Sequence, residues 1–362
     1  MTYVLYDDSI EQPFPDEAAL IDDIVGSMDK LNRTIFEKHR HAVRDAHAKS
    51  HGILRGELVV DPGLPPHLAQ GLFATPGRHD VIIRLSSAPG DIHSDKLPSL
   101  RGMAIKVLNV EGLRLLPGDG GRNQDFLLVT APTIPFGTVK AYLDAQKTIE
   151  LLETVPDAVQ EAGLALVRGA KGFLGAVGVE TPAAVDALAT PNDHILGLTF
   201  HSMAAIRYGE HVAKVSVGPR SPEVQALTGK SLGYDAAFSA QRDVVVAFFA
   251  RQGAEYQVYV QLCTDLAKMP VEDASVLWPE SLSPHQPVAR IVIPPQDAYS
   301  PARRVYGDDV LSFNPWQGVE AHRPLGSIMR SRRAAYEASS ARRHALNVQP
   351  RTEPSSISEL PN

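Results

Sequence analysis

Between residues 53 and 262 the apolar residues of this chain come mostly in short β-branched runs cut by Gly, Pro and Asp clusters. Ile53–Val60, Val81–Ser86, Met103–Val110 and Phe126–Thr130 form one block, interrupted by stretches such as Asp61-Pro62-Gly63 and Pro117-Gly118-Asp119-Gly120-Gly121. Leu198–Arg207, His211–Val217, Val244–Arg251 and Glu255–Leu262 form a second block, its last two runs joined by Gln252-Gly253-Ala254, a suitable hairpin turn. Runs of this length between turn formers read as strands. An open sheet of so many strands leaves two sticky edges, and closure removes them. The pattern therefore predicts a closed antiparallel barrel of about eight strands.

Around the barrel the period changes to that of a helix. From Asp16 to Lys49, residues Leu20, Ile21, Ile24, Val25, Met28, Leu31, Ile35 and Phe36 fall three and four apart. Between the two strand blocks, Thr138–Thr154 and Asp157–Leu174 read as helices broken by Pro156, with a further short turn at Ala183–Ala189. From Pro324 to about Asn347 the sequence is helical and strongly basic, and the Pro/Ser-rich tail after Pro350 is expected to be disordered. No period of 20–50 residues repeats, which excludes solenoids and propellers. The expected organisation is an N-terminal extension (1–15), one α+β domain (16–347) and a tail (348–362). Within the domain the barrel occupies 53–130 and 194–262, a helical insert 137–190 and the basic helix 324–347.

A chain of 362 residues buries about 75% of its unfolded surface, enough to enclose a cofactor. Its net charge of −7 argues against nonspecific nucleic-acid binding. The single cysteine, Cys263, excludes an internal disulfide and multi-cysteine metal sites. No apolar run reaches the ~20 residues of a membrane-spanning helix. Met1–Pro15 carries acids where a signal peptide carries lysines, so a cytoplasmic location is expected.

Four clusters could carry chemistry. On the basic helix, Tyr336 lies about 40° around from Arg332, and Arg343 about 20°, so the three share a face, with Ser339 between the last two. A guanidinium one turn away favours a phenolate, and tyrosinate is an axial ligand of ferric haem. The same sequence also suits an ordinary solvated basic helix. The second cluster is Arg44-Asp45-Ala46-His47-Ala48-Lys49-Ser50-His51-Gly52, where His47 and His51 have the i, i+4 spacing of helical zinc sites but no carboxylate or cysteine partner of a familiar signature. The third is Val81–Ser87. There Arg84 and Ser86 share one strand face, opposite Ile83 and Leu85; inward they need a polar partner or charged ligand, outward they meet water. The fourth is Gly121–Val129, with Asn123 before an apolar run and Phe136 thirteen residues later. An Asn there also suits a turn. A barrel-based hydrolase ranks last, because no Gly-x-Ser-x-Gly elbow and no triad spacing is present.

Taken together and in this order, the clusters resemble the haem-binding core of the catalase superfamily. Arg44-x-x-His47-Ala48-Lys49 resembles the distal motif, Arg84-Leu85-Ser86 its Arg-Phe-Ser, and Arg101-Gly102-Met103-Ala104-Ile105-Lys106-Val107 its Arg-Gly-Phe-Ala-Val-Lys. Asn123 stands where the catalytic asparagine is expected, Phe136 where a phenylalanine stacks on the porphyrin, and Arg332-x-x-x-Tyr336 resembles the proximal motif, with Arg343 beyond it. The likeness runs over about residues 30 to 345. The resemblance does not extend to the long N-terminal arm and extra C-terminal helices of full-length catalases, which are expected to be absent. Phe313-Asn314-Pro315-Trp316 and His322-Arg323-Pro324-Leu325-Gly326 look more like the smaller catalase-related peroxidases and allene oxide synthases. Ala46 stands before the distal histidine where coral allene oxide synthase has threonine, and leaves more room for a bulky peroxide.

The resemblance implies an α+β, catalase-type eight-stranded barrel with surrounding helices, holding ferric haem b. It makes Tyr336 the axial iron ligand, with Arg332 keeping it ionised, and Arg44, Arg84 and Arg343 partners of the propionates. His47 is then the acid–base catalyst, Ser86 orients it, and Asn123 holds the peroxide. The implied reaction is peroxidase reduction of hydrogen peroxide or organic hydroperoxides through an oxoferryl intermediate, with some catalase activity. A fatty-acid hydroperoxide isomerase or dehydratase and a non-catalytic haem-binding protein are the alternatives. The implied partners are a peroxide, a small-molecule reductant and further copies of the chain in a dimer or tetramer, with no nucleic acid and no stable membrane insertion.

Overall fold

The computed structural model describes residues 2–97, 99–116, 121–156, 158–161, 192–233 and 235–362. Its sheet has nine antiparallel strands: β1 (Ser50–Val60), β2 (Arg78–Ser87), β3 (Arg101–Val107), β4 (Gln124–Val129), β5 (Phe200–His201), β6 (Ile206–Tyr208), β7 (His211–Pro219), β8 (Ala254–Leu262) and β9 (Gln286–Ile293). They pair in the order β5-β4-β3-β2-β1-β9-β8-β7-β6. Strand β5 also pairs with β7, Phe200 opposite Val217, and this closes eight strands into a barrel with β6 as an added hairpin strand. The interior is a continuous apolar core that includes Leu54, Ile83, Leu85, Met103, Ile105, Leu128, Val215, Val258 and Ile291.

Three strand expectations change, the first being Leu198–Arg207, which is two short strands, β5 and β6, separated by residues 202–205. Val244–Arg251 is not a strand but part of a helix, Ala240–Phe249. Its buried residues Gln241, Val245, Phe248 and Phe249 follow a helical stripe, and packing on the barrel overrides the β-branched run. The missing eighth strand is β9, whose Pro287 and Arg290 interrupt the apolar pattern that would reveal it. It lies outside the expected barrel range of 194–262.

Helix α1 (Glu17–His39) packs against α2 (Val139–Thr154) and against the basic helix near the C-terminus, Ser327–Leu346. With Ala240–Phe249 as α3, that helix is α4. Helix α1 ends ten residues before the expected Lys49. Arg40 takes a left-handed conformation (φ 54°) and its N–H bonds Phe36 O, so residues 40–49 run on as a loop to β1. Asn347 holds this loop, bonding both the N–H and the C=O of Ala42 (2.9 and 2.8 Å). Of the second insert helix and the turn expected at 183–189, residues 162–191 lie outside the described residues. Arg330 on α4 gathers Glu11, Glu17 and Glu272, tying the N-terminal segment to the body.

The tail is ordered, against expectation. Leu360 is buried with Ile53, Ile82, Leu311 and Phe313 on the outer barrel wall. Glu353 pairs with the buried Lys106 (2.8 Å), and Asn362 accepts from Arg55 (2.7 Å). A Pro/Ser-rich composition does not prevent docking when a few side chains find preformed polar partners.

Candidate active site

The site lies on the outer wall of the barrel, beneath α4. Ile83 and Leu85 point to the interior core, so the strand alternation puts Arg84 and Ser86 outside. They do not meet water. Both are buried under α4, the loop 40–49 and the segment 306–313. Neither simple alternative for this face holds, because the outer wall of this barrel is itself covered.

Between these layers is a cavity whose space, counted together with the solvent at its mouth, is about 780 Å³. It brings together Arg44, Ala46, His47, Arg84, Ser86, Arg332, Tyr336 and Arg343. Three separate segments, the loop 40–49, β2 and α4, supply them, which is why no single cluster carries a function alone. The remaining wall is largely apolar, from Met103, Ala104, Leu127, Val129, Met203 and Phe313.

His47 is tightly constrained. Its neighbours are pinned, His47 N to Ala88 O (2.8 Å) and Ala48 N to Pro89 O (3.1 Å). Its backbone is left-handed (φ 59°), an uncommon state for a residue with a Cβ and a form of strain that clusters at functional sites. Met203, on the same cavity, shares this feature. His47 Nδ1 bonds Ser86 Oγ (3.0 Å), and Nε2 has no partner among the described residues. Burial first, and the cations Arg84, Arg332 and Arg44 next, push its pKa down to about 3, so the imidazole is neutral at pH 7.

Across the cavity Arg332 Nη2 donates to Tyr336 Oη (2.7 Å), and the guanidinium carbon lies 5.0 Å from the tyrosine ring centre. A cationic donor offsets negative charge on that oxygen. The other three arginines converge on one turn. Arg44 donates to Gly307 O (2.8 Å) and Leu311 O (2.7 Å), Arg343 to Asp308 O (2.6 Å) and Ser312 Oγ (3.1 Å), and Arg84 to Asp308 Oδ1 (3.0 Å). This turn, Tyr306–Val310, is π-helical, a form often found at functional sites. Burial, and then repulsion from Arg84 and Arg343, hold the Arg44 pKa well below its ordinary value. Burial, and then Arg84, lower Arg343 to about 10. Asp308, Ser312 and Phe313 were missed from sequence. The Asp308-Asp309 pair, a short acidic run shortly before the strongly basic helix, is the signal that was there.

Two expected residues are elsewhere. Asn123 does not line the cavity: it is fully buried, donating to Pro354 O (2.9 Å) and Glu353 Oε2 (3.0 Å), and it anchors the tail. It precedes β4, whereas Leu127 and Val129 further along β4 reach the cavity. A strand advances about 3.3 Å per residue, so Asn123 falls roughly 20 Å short of Val129. Phe136 stands 39% exposed before α2 and is not in the cavity lining. The helical zinc spacing also dissolves. His47 is in a loop, and His51 is in β1, its Nε2 bonded to Ser87 Oγ (2.7 Å). Among the described residues no group of three or more His, Cys, Asp or Glu is placed to hold a metal ion. His201 and His211 also lie outside the cavity lining; the first faces His285, the second Tyr3.

The residues present fit haem. One oxygen ligand backed by a cation suits a metal that brings its own macrocycle, and the cavity has apolar walls for a porphyrin. Three buried arginines that repel one another, with Asp308 as the shared carboxylate of two, suit an anionic edge.

No protein-family model matches the sequence, and no curated protein matches it. Solved structures do match. A fungal catalase aligns with a TM-score of 0.57 at 15% identity, over 95% of this chain and 66% of that one. Catalase A from Saccharomyces cerevisiae aligns with a TM-score of 0.57 at 17% identity, over 96% of this chain and 70% of that one. The chain thus spans about two thirds of the length of these catalases. At such identity the likeness concerns architecture: the chain has the catalase fold.

Proposed function

We propose that this chain binds haem b and reduces organic hydroperoxides with an organic electron donor, taking hydrogen peroxide as a lesser substrate. One observation carries the reading: the His47–Ser86 pair and the Tyr336–Arg332 pair, from opposite ends of the sequence, line the same cavity. Tyr336 Oη would be the iron ligand, with Arg332 donating to it. Arg44, Arg84 and Arg343 hold the propionates through charge-assisted hydrogen bonds. Bound haem supplies a redox-active iron able to accept both oxidising equivalents of a peroxide.

His47 does the proton work. With Nδ1–H donating to Ser86 Oγ, Nε2 accepts the hydroperoxide proton and returns it to the outer oxygen as that oxygen leaves. Ser86 keeps the ring in that tautomer and orientation. Neutrality at pH 7 leaves the imidazole free to accept. With Asn123 elsewhere, no side-chain amide among the described residues lines the cavity, and Leu127, Val129 and Met203 offer an alkyl-binding wall instead. That wall favours an organic hydroperoxide.

The same wall also suits a fatty-acid hydroperoxide isomerase or dehydratase of the allene oxide synthase type. Product analysis separates the two: an alcohol with oxidised donor, or a rearranged or dehydrated fatty acid with no donor consumed. A haem-binding protein without turnover has no use for the His47–Ser86 pair. The test is a visible spectrum of haem-loaded protein beside Tyr336→Phe and His47→Ala. A Soret band of tyrosinate-ligated ferric haem should be lost or shifted in Tyr336→Phe. It should persist in His47→Ala while peroxide reactivity falls by about 10²–10⁴. A folded protein that refuses haemin overturns the reading.

A further inference from the structure

A second cavity, of about 910 Å³ and also part open to solvent, adjoins the first. Loop 41–50 forms one wall, Phe238 and Arg242 at the start of α3 another, and Tyr299, Arg304, Asp308 and Asp309 the third. Arg44 lines both cavities. Asp308 lines the second and accepts from Arg84 of the first (3.0 Å), so a single layer of side chains divides them.

The chemistry of the second cavity differs from that of the first. It offers aromatic rings where the first offers mainly aliphatic walls. Phe238 is 52% exposed although the Lys49 ammonium sits 4.3 Å from its ring centre. The Arg242 guanidinium lies 5.7 Å from the ring centre of Tyr299. Most charges here already have partners: Lys49 with Asp95 (2.8 Å), Arg242 with Asp243 (2.8 Å) and Asp309 with His41 (2.7 Å). The side chain of Arg304 is exposed and makes no hydrogen bond or ion pair with a described residue. An aromatic ring left half-exposed in the same cavity as a guanidinium with no acceptor among the described residues is a complement to an aromatic anion.

We propose that the second cavity binds a phenolic aromatic acid, ring against Phe238 and Tyr299 and carboxylate on Arg304, as electron donor to the first. The donor role rests on the peroxidase reading; the binding site does not. Two donors AH reduce one hydroperoxide: ROOH + 2 AH → ROH + H₂O + 2 A•. The O–O bond breaks, each phenol loses its proton and one electron, and the protons leave in the alcohol and water. Arg44, which lines both cavities, and Asp308, which binds Arg84 of the first, lie between donor and acceptor.

The probe is 4-hydroxycinnamate, titrated calorimetrically into haem-loaded wild type, Phe238→Ala and Arg304→Glu. Both residues are exposed, and circular dichroism checks that the variants fold. Kd should rise tenfold or more in each variant. KM for 4-hydroxycinnamate should rise in step while KM for cumene hydroperoxide stays constant. Absence of binding to wild type, or equal binding in all three proteins, overturns the proposal. Binding that both variants weaken, in a protein that never turns over peroxide, upholds the aromatic-acid site and overturns the peroxidase reading alone.

Discussion

Gly102 shows how narrowly the site is drawn. A Cβ there would lie 2.5 Å from His47 Nδ1 and 2.9 Å from Ser86 Oγ, so the position must be bare for the imidazole to rest against β3. Gly102→Ala should displace the ring and lower the peroxide rate at least tenfold, with the Soret band retained and stability reduced by only about 1–2 kcal/mol. Stopped-flow mixing with cumene hydroperoxide and a thermal melt check both. The residues that were legible in sequence, namely Arg44, His47, Arg84, Ser86, Arg332, Tyr336 and Arg343, each sit in a short motif whose local geometry sets their direction. Asn123 was not legible. Its offset within the sequence matches a pattern, but distance along a strand, and not residue count, decides what reaches the cavity.

At the scale of elements, the outer face of β3 and β4 holds a second device. Lys106 pairs with Asp125 (2.8 Å), both buried, and with the half-buried Glu353 from the tail (2.8 Å). Burial, and the neighbouring Glu353, push the Asp125 carboxyl well above its ordinary range, against the pull of Lys106. Two carboxylates on one cation fasten the tail next to Phe313, which lines the first cavity. Lys106→Ala leaves the two acids facing each other without the cation and should cost about 3–5 kcal/mol, read by urea denaturation. An unchanged midpoint would show that the triad does not hold the tail. Helix α3 carries a related lesson: Val244, Val245 and Val246 favour a strand by propensity, yet the stripe of Gln241, Val245, Phe248 and Phe249 is what the barrel wall accepts.

At the scale of the whole molecule, several histidines are buried neutral outside the cavity. Burial holds His194, His322 and His344 each to about 4, against 6.5 when unfolded. Their folded pKa values are depressed, so the unfolded chain binds more protons between pH 6.5 and 4. Their stabilisation is therefore complete above about pH 6.5 and is lost as pH falls towards 4. Each unit of depression is worth about 1.4 kcal/mol, so urea midpoints should fall steeply across that window. His322→Gln should flatten the slope; an unaltered slope would remove His322 as a contributor. The sequence by itself determined that this chain is a β-barrel with a basic terminal helix. Periodicity and turn chemistry act over a few residues and are written locally. It also determined the residue types of the two polar pairs. Tertiary structure alone decided that β9 is the eighth barrel strand and that closure runs through the β5–β7 pairing, that the outer wall is covered as well as the interior filled, and that Val129 stands at the cavity instead of Asn123. Those outcomes depend on which surfaces cover one another, and strand alternation gives two faces without saying which face another element will bury.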